Sequence, residues 1–169
     1  MSKKTKHDAH IFHVDTRFQR LARRSGGVAR EEAIAGAQTQ VDELKPDFSD
    51  WLNRELEELT AAIADAEGNS GNMLSLDRAY SSCSQLRDVG ATMGFDLVTF
   101  VATNLCEILD AIKAGAVYDK DKVDCHISAF FLARTDEYRH LRPDQVPEMA
   151  SGLRRVVELA SIAPAQKGE

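Results

Sequence analysis

Apolar residues recur every three or four positions through most of the chain, and the clearest run is residues 76–112. Its first half carries Leu76, Ala79, Cys83, Leu86 and Gly90; its second half carries Leu97, Val101, Leu105, Ile108 and Ile112. That spacing is the signature of amphipathic helices. Between the halves stands Gly90-Ala91-Thr92-Met93-Gly94, where the glycines remove Cβ bulk and let two helices turn and still pack closely. The centre therefore predicts a helical hairpin, with helices over 76–91 and 95–113 and with Cys83, Leu86, Leu97, Leu105 and Ile108 buried.

The flanking stretches read the same way. Residues 28–41 are a modest helix candidate, and Pro46 is expected to end it, with Asp47 or Ser49 capping a fresh helix. That helix carries Phe48, Trp51, Leu52, Leu56, Leu59, Ile63 and Ala64 on its apolar stripe, and Trp51 reads as a plug near one end of the core. Gly68 to Asn72 is a loop by composition, after which Asn72 or Ser75 can cap the central helix. Beyond Gly115, the residues Val123, Ile127, Phe130, Phe131 and Leu132 line a further helix, and Pro143 is placed early in the last one, which carries Val146, Met149, Leu153, Val156, Val157 and Leu159. With no convincing strand and no internal repeat, the pattern predicts an all-α fold, an antiparallel four-helix bundle with accessory helices.

Charge divides the chain more sharply than hydropathy does. The net charge of −6 combines eight Lys/Arg and two Asp in residues 1–30 with thirteen Lys/Arg and twenty-five Asp/Glu in the remainder. This predicts a basic arm over 1–27, broken from the body at Ser25-Gly26-Gly27, a helical domain over 28–162, and a tail over 163–169. An acidic body argues against general nucleic-acid binding. No apolar run approaches the roughly 20 residues of a membrane span, and no apolar segment follows Lys3, Lys4 and Lys6 as a secretory signal requires, so a cytoplasmic location is expected.

Three cysteines, Cys83, Cys106 and Cys125, form no CxxC pair and no metal-site spacing with histidine, and read as buried thiols. His7, His10 and His13 recur every three residues but lack a cysteine or acidic pair to complete a metal site, so neither a metal nor a cofactor is expected. Phosphate-loop, HExxH and GxSxG patterns are also missing from the sequence.

One segment carries a likeness. Ser84-Gln85-Leu86-Arg87-Asp88-Val89-Gly90-Ala91-Thr92-Met93-Gly94-Phe95-Asp96-Leu97, followed by Asn104-Leu105-Cys106, resembles the central motif of bacterial histidine-phosphotransfer (HPt) domains. These relay a phosphoryl group to and from receiver aspartates. The specific match covers residues 83–106, and the helix order extends it over 28–162. The resemblance implies an HPt-type bundle, a partner that is a response-regulator receiver domain or a histidine kinase, and a docking face of Ser84, Arg87, Asp88 and Ala91.

Within that likeness Arg87 matches the basic residue that steadies phosphoryl oxygens, but Ser84 stands where the phosphorylatable histidine is expected. Asp88 stands where the family favours glycine. On a helix Ser84 and Asp88 lie one turn apart on the same side, so the imidazole nucleophile is absent and a carboxylate approaches its station. The resemblance therefore implies a degenerate, non-enzymatic docking module acting as regulator, decoy or scaffold. Two alternatives stand beside it: a phosphorelay carrier using another acceptor, with His126 first in line, and a helical interaction module outside two-component signalling. His140 reads as a surface residue.

Overall fold

The computed structural model describes residues 17, 20, 26–68 and 72–161. His7, His10, His13, most of the basic arm, the centre of the Gly68 to Asn72 loop and the 163–169 tail lie outside the described residues. The chain divides into two compact units, Met1–Thr39 and Gln40–Glu169. In the first, the backbone is non-helical over 26–29 and becomes helical at Arg30, with Val28 and Ile34 exposed.

From Arg30 on, the described residues form five α-helices and one 3-10 turn: α1 (Arg30–Gly68), α2 (Met73–Gly90), α3 (Asp96–Lys113), α4 (Lys120–Ala133), the 3-10 turn Pro143–Gln145, and α5 (Pro147–Ser161). The fold is all-α, and no strand occurs among the described residues.

The expected break at Pro46 does not occur. Helix α1 runs through it, because one proline removes one N–H and leaves the flanking ladder free to continue when burial rewards it. Downstream of Pro46 that burial is large: Phe48, Leu52, Leu56, Leu59, Ala62, Ile63 and Ala66 form one buried stripe. Ser49 does not cap a new helix; its hydroxyl donates to the Lys45 carbonyl at 3.1 Å inside the continuing one. Ala64 is exposed, and Ala62 and Ala66 take the inward positions. Trp51 is half-buried at the edge of the core, 5.3 Å from the Phe48 ring.

Helices α2 and α3 form the expected hairpin. Asn72 caps α2, its Oδ1 accepting from the Leu74 N–H at 3.2 Å. The antiparallel sense follows from the contacts, since the pairs Gly90 with Thr99, Cys83 with Ala102 and Asp77 with Lys113 count down one helix and up the other. Cys83, Leu86, Leu97 and Leu105 are fully buried and Ile108 nearly so. Gly94 adopts φ +79°, a backbone conformation that favours glycine. A Cβ at Gly90 would lie 2.6 Å from Thr99 Oγ1, so the closeness of the two helices depends on its absence.

Helix α3 is the element around which the second unit is built. It packs against α2, α4, α5 and the 3-10 turn, and buries Leu97, Val98, Val101, Ala102, Leu105, Cys106, Ile108 and Leu109 around most of its circumference. One stripe stays more open, running through Asp96, Thr99, Phe100, Thr103 and Glu107.

At the C-terminal end the apolar run Phe130-Phe131-Leu132 does not all face inward. Phe130 is fully buried, whereas Phe131 and Leu132 are exposed, since three consecutive residues on a helix span most of its circumference. Pro143 begins the 3-10 turn, and Pro147 is the proline that opens α5. The inward positions of α5 are Ala150, Leu153, Val157 and Ala160, while Leu159 is exposed.

Candidate functional site

The outward side of α2 presents Ser84, Arg87, Asp88 and Ala91 in the i, i+3, i+4, i+7 spacing of one helical stripe. Ala91 follows the last helical residue, and Ser84 and Arg87 are half-buried while Asp88 and Ala91 are exposed. The guanidinium is folded back on its own helix. Arg87 Nη2 donates to Ser84 Oγ at 2.9 Å and Nε donates to Asp88 Oδ1 at 2.9 Å. The bond to Asp88 raises the Arg87 pKa further above its ordinary value, so the group is a fixed cation whose charge is largely matched by its neighbour.

Ser84 Oγ accepts from a cation, which draws electron density away from the hydroxyl, and no imidazole or carboxylate bonds it as a base among the described residues. The stripe presents one hydroxyl, a partly neutralised guanidinium and an exposed carboxylate. Below it, Thr99 Oγ1 donates to the Arg87 carbonyl at 3.3 Å, fixing the last turn of α2 on α3. Sequence reasoning missed Thr99, although its place opposite Gly90 in a helical hairpin was the available signal.

Cys83 lies beneath the stripe, its thiol donating to the Ala102 carbonyl at 3.3 Å. Its interaction with Cys106 and its burial push its pKa well above the usual thiol value, which keeps it protonated and unreactive. Cys106 is buried as well. Cys125 departs from the expectation of three buried thiols: it is exposed, because it sits on the outer side of α4 next to the inward His126.

His126, the alternative phosphoacceptor, has no exposed surface. Its Nδ1–H donates to the Lys122 carbonyl at 2.9 Å, and Nε2 finds no partner among the described residues. With the ring fully buried, Nε2 is closed to an incoming phosphoryl group. His140 is exposed, its Nε2 accepting from Arg139 Nε at 3.2 Å.

Burial lowers the His126 pKa, against a smaller opposing effect of the Lys122 carbonyl. Above the unfolded value of about 6.5 the ring is neutral in both states, and the full stability is present. As pH falls below that value the unfolded chain takes up a proton that the folded chain refuses, so stability declines until the lower folded pKa is passed. Urea unfolding of the wild type and of His126→Asn between pH 7.5 and 5 should therefore differ in slope, the wild type losing up to about 1.4 kcal/mol more per pH unit. Parallel slopes would show that His126 titrates normally.

Among the described residues no group of three His, Cys, Asp or Glu could hold a metal ion. No helix among them is long and apolar enough to cross a membrane. No protein-family model matches the chain, and no curated protein or solved structure matches it.

Proposed function

We propose that the chain is an HPt-like helical module that docks a two-component partner, a receiver domain or a histidine kinase, and regulates or scaffolds it without carrying its phosphoryl group. On this reading the helices around α3 correspond to an HPt-type four-helix bundle, and the protein acts in the cytoplasm as a non-enzyme. The observation that carries the proposal is the Ser84–Arg87–Asp88 cluster. A basic residue stands beside the position where the family places its histidine, on a half-exposed helix face, yet its guanidinium is occupied by a serine hydroxyl and a carboxylate. That preserves a surface for docking while leaving no imidazole nucleophile on it.

Of the two alternatives, a carrier using His126 is disfavoured by the burial of that ring. A helical interaction module outside two-component signalling would use the same exposed stripe with a different partner. The test is a panel of purified receiver domains and histidine kinases from the same cell. One or more should bind saturably, and Ala91→Arg, which adds bulk at an exposed position of the stripe, should weaken that binding at least about tenfold, or about 1.4 kcal/mol. No phosphate should pass to the wild-type chain. Robust transfer that persists in Ser84→Ala would overturn the proposal in favour of a carrier, and absence of binding across the panel would favour the module outside this system.

A further inference from the structure

Two of the three cysteines meet at the seam between α2 and α3. Cys83 has no exposed surface and Cys106 keeps 3%. The Cys83 thiol lies 3.3 Å from the Ala102 carbonyl, and Cys106 stands one turn further along α3, on the same side of that helix. The two thiols are hydrogen-bonded to each other across the seam. Cys125, on α4, is exposed and lies outside the pair.

The seam is narrow enough for a covalent link. Small residues line it, Ala79, Cys83 and Gly90 on α2 and Thr99, Ala102 and Cys106 on α3, and a Cβ at Gly90 would stand 2.6 Å from Thr99 Oγ1. A disulfide needs Cα atoms about 4.4–6.8 Å apart, a spacing that facing positions reach where no large side chain separates two helices. Thiols already in hydrogen-bond contact need only side-chain rotation to bring their sulfurs together.

The two thiols differ in what they can do. Cys83, held protonated and closed to solvent, cannot begin an oxidation. For Cys106 the hydrogen bond from Cys83 lowers the pKa, against the effect of burial, and the Arg87 guanidinium adds a further attraction for the thiolate. Asp110, which acts on Cys106 in the opposite sense, is exposed, and Arg87 is half-buried. Cys106 thus stands at the solvent edge of the seam with Cys83 behind it, the order of a peroxide-reactive thiol and its resolving partner.

We infer that Cys83 and Cys106 are a peroxide-sensitive thiol pair that closes into a disulfide between α2 and α3, directly beneath the Ser84–Arg87–Asp88 stripe. The Cys106 thiolate attacks one oxygen of hydrogen peroxide; the S–O bond forms, the O–O bond breaks, and the departing hydroxide takes the proton that Cys106 released and leaves as water. Cys83 then attacks the sulfenic sulfur. The S–S bond forms as the S–O bond breaks, and the Cys83 proton leaves with that hydroxide as a second water. Two thiols are oxidised by two electrons and one peroxide is reduced. The pair does not depend on two-component docking at the stripe above it.

The experiment treats the folded full chain with hydrogen peroxide, blocks the remaining thiols with N-ethylmaleimide in denaturant, and maps the bridges by mass spectrometry, beside the same treatment of the chain in urea. In the folded chain the Cys83–Cys106 bridge should exceed any bridge containing Cys125 at least about tenfold, because the two thiols are held in contact. In the unfolded chain Cys106 meets Cys83 and Cys125 over similar lengths of chain, so those two bridges should form to within about threefold of each other. Dithiothreitol should reverse the native bridge, and circular dichroism should be the same before and after. Cys83→Ala should leave Cys106 as a sulfenic acid that dimedone captures, whereas Cys106→Ala should leave Cys83 uncaptured. The wild-type map decides the question even where a variant fails to fold. No bridge in the folded chain at millimolar peroxide, a bridge that forms only with loss of helical signal, predominance of bridges to Cys125, or equal capture of the two cysteines in the single variants would each overturn the inference.

Discussion

Leu105→Ala is expected to lower the free energy of unfolding by about 2–5 kcal/mol. The side chain is fully buried in the middle of α3, the helix that packs on α2, α4, α5 and the 3-10 turn. A cavity opened there is bounded on most sides by other helices, so it cannot be closed by shifting a single neighbour, and the cost should lie toward the upper part of that range. Leu159→Ala is the control. Leu159 is 47% exposed on α5, and its truncation should change stability by about 0.5 kcal/mol or less. Urea unfolding of the two variants measures the difference directly, and a loss below about 1 kcal/mol for Leu105→Ala would mean that α3 is not the centre of the packed unit.

The second large effect is a gain of chemistry. Ser84→His combined with Asp88→Gly should accept phosphate from a phosphorylated receiver, in an acid-labile form, at least about tenfold faster than either single change, a barrier difference of about 1.4 kcal/mol. Ser84→His supplies the imidazole nucleophile on a half-exposed face, but leaves the Asp88 carboxylate on the same side one turn along, where it repels the incoming phosphoryl oxygens and holds Arg87 Nε. Asp88→Gly alone releases Arg87 and offers no nucleophile. Only the pair puts a free guanidinium beside an imidazole. Because glycine near the end of a helix costs less than about 1 kcal/mol relative to aspartate, thermal melting should show the double variant folded. Acid-stable label instead would indicate attachment to a hydroxyl, and equal rates for the double and single changes would show that Asp88 does not obstruct the site.

The α2–α3 hairpin was legible in the sequence because three signals agree there: two apolar stripes of helical period, a glycine-bearing turn, and a capping Asn72. The inward face of α1 was legible from Phe48 to Ile63 through its apolar stripe alone. Pro46 misled because a proline's local cost is readable in sequence whereas the burial that offsets it, on the far side of the helix from Ala64, is a tertiary quantity. Phe131, Leu132 and Leu159 were assigned inward because hydropathy ranks them above Ala129, Ala150 and Ala160, which occupy the close helix contacts instead. The stripe Ser84, Arg87, Asp88 and Ala91 follows from helical geometry, but the capture of Arg87 by its own neighbours is a rotamer choice that spacing does not reveal. The least legible feature was the cleft between α3, the 3-10 turn and α5, which takes one wall from residues nearly fifty positions downstream of the other, and only the fold brings them together.

The missing Cβ at Gly90 ties two positions on different helices into one heritable unit. Alanine at position 90 would gain helix propensity of up to about 1 kcal/mol, so isolated α2 would favour the change, while in the folded chain the 2.6 Å approach to Thr99 Oγ1 forces that side chain to shift at an overpacking cost of about 1–3 kcal/mol. Drift at position 90 is therefore easier with a smaller residue at 99, yet losing Thr99 also releases the carbonyl of Arg87. Among sequences descended from this one, glycine at 90 and threonine at 99 should be kept or exchanged together, and the residue that constrains them is the arginine whose backbone their contact secures.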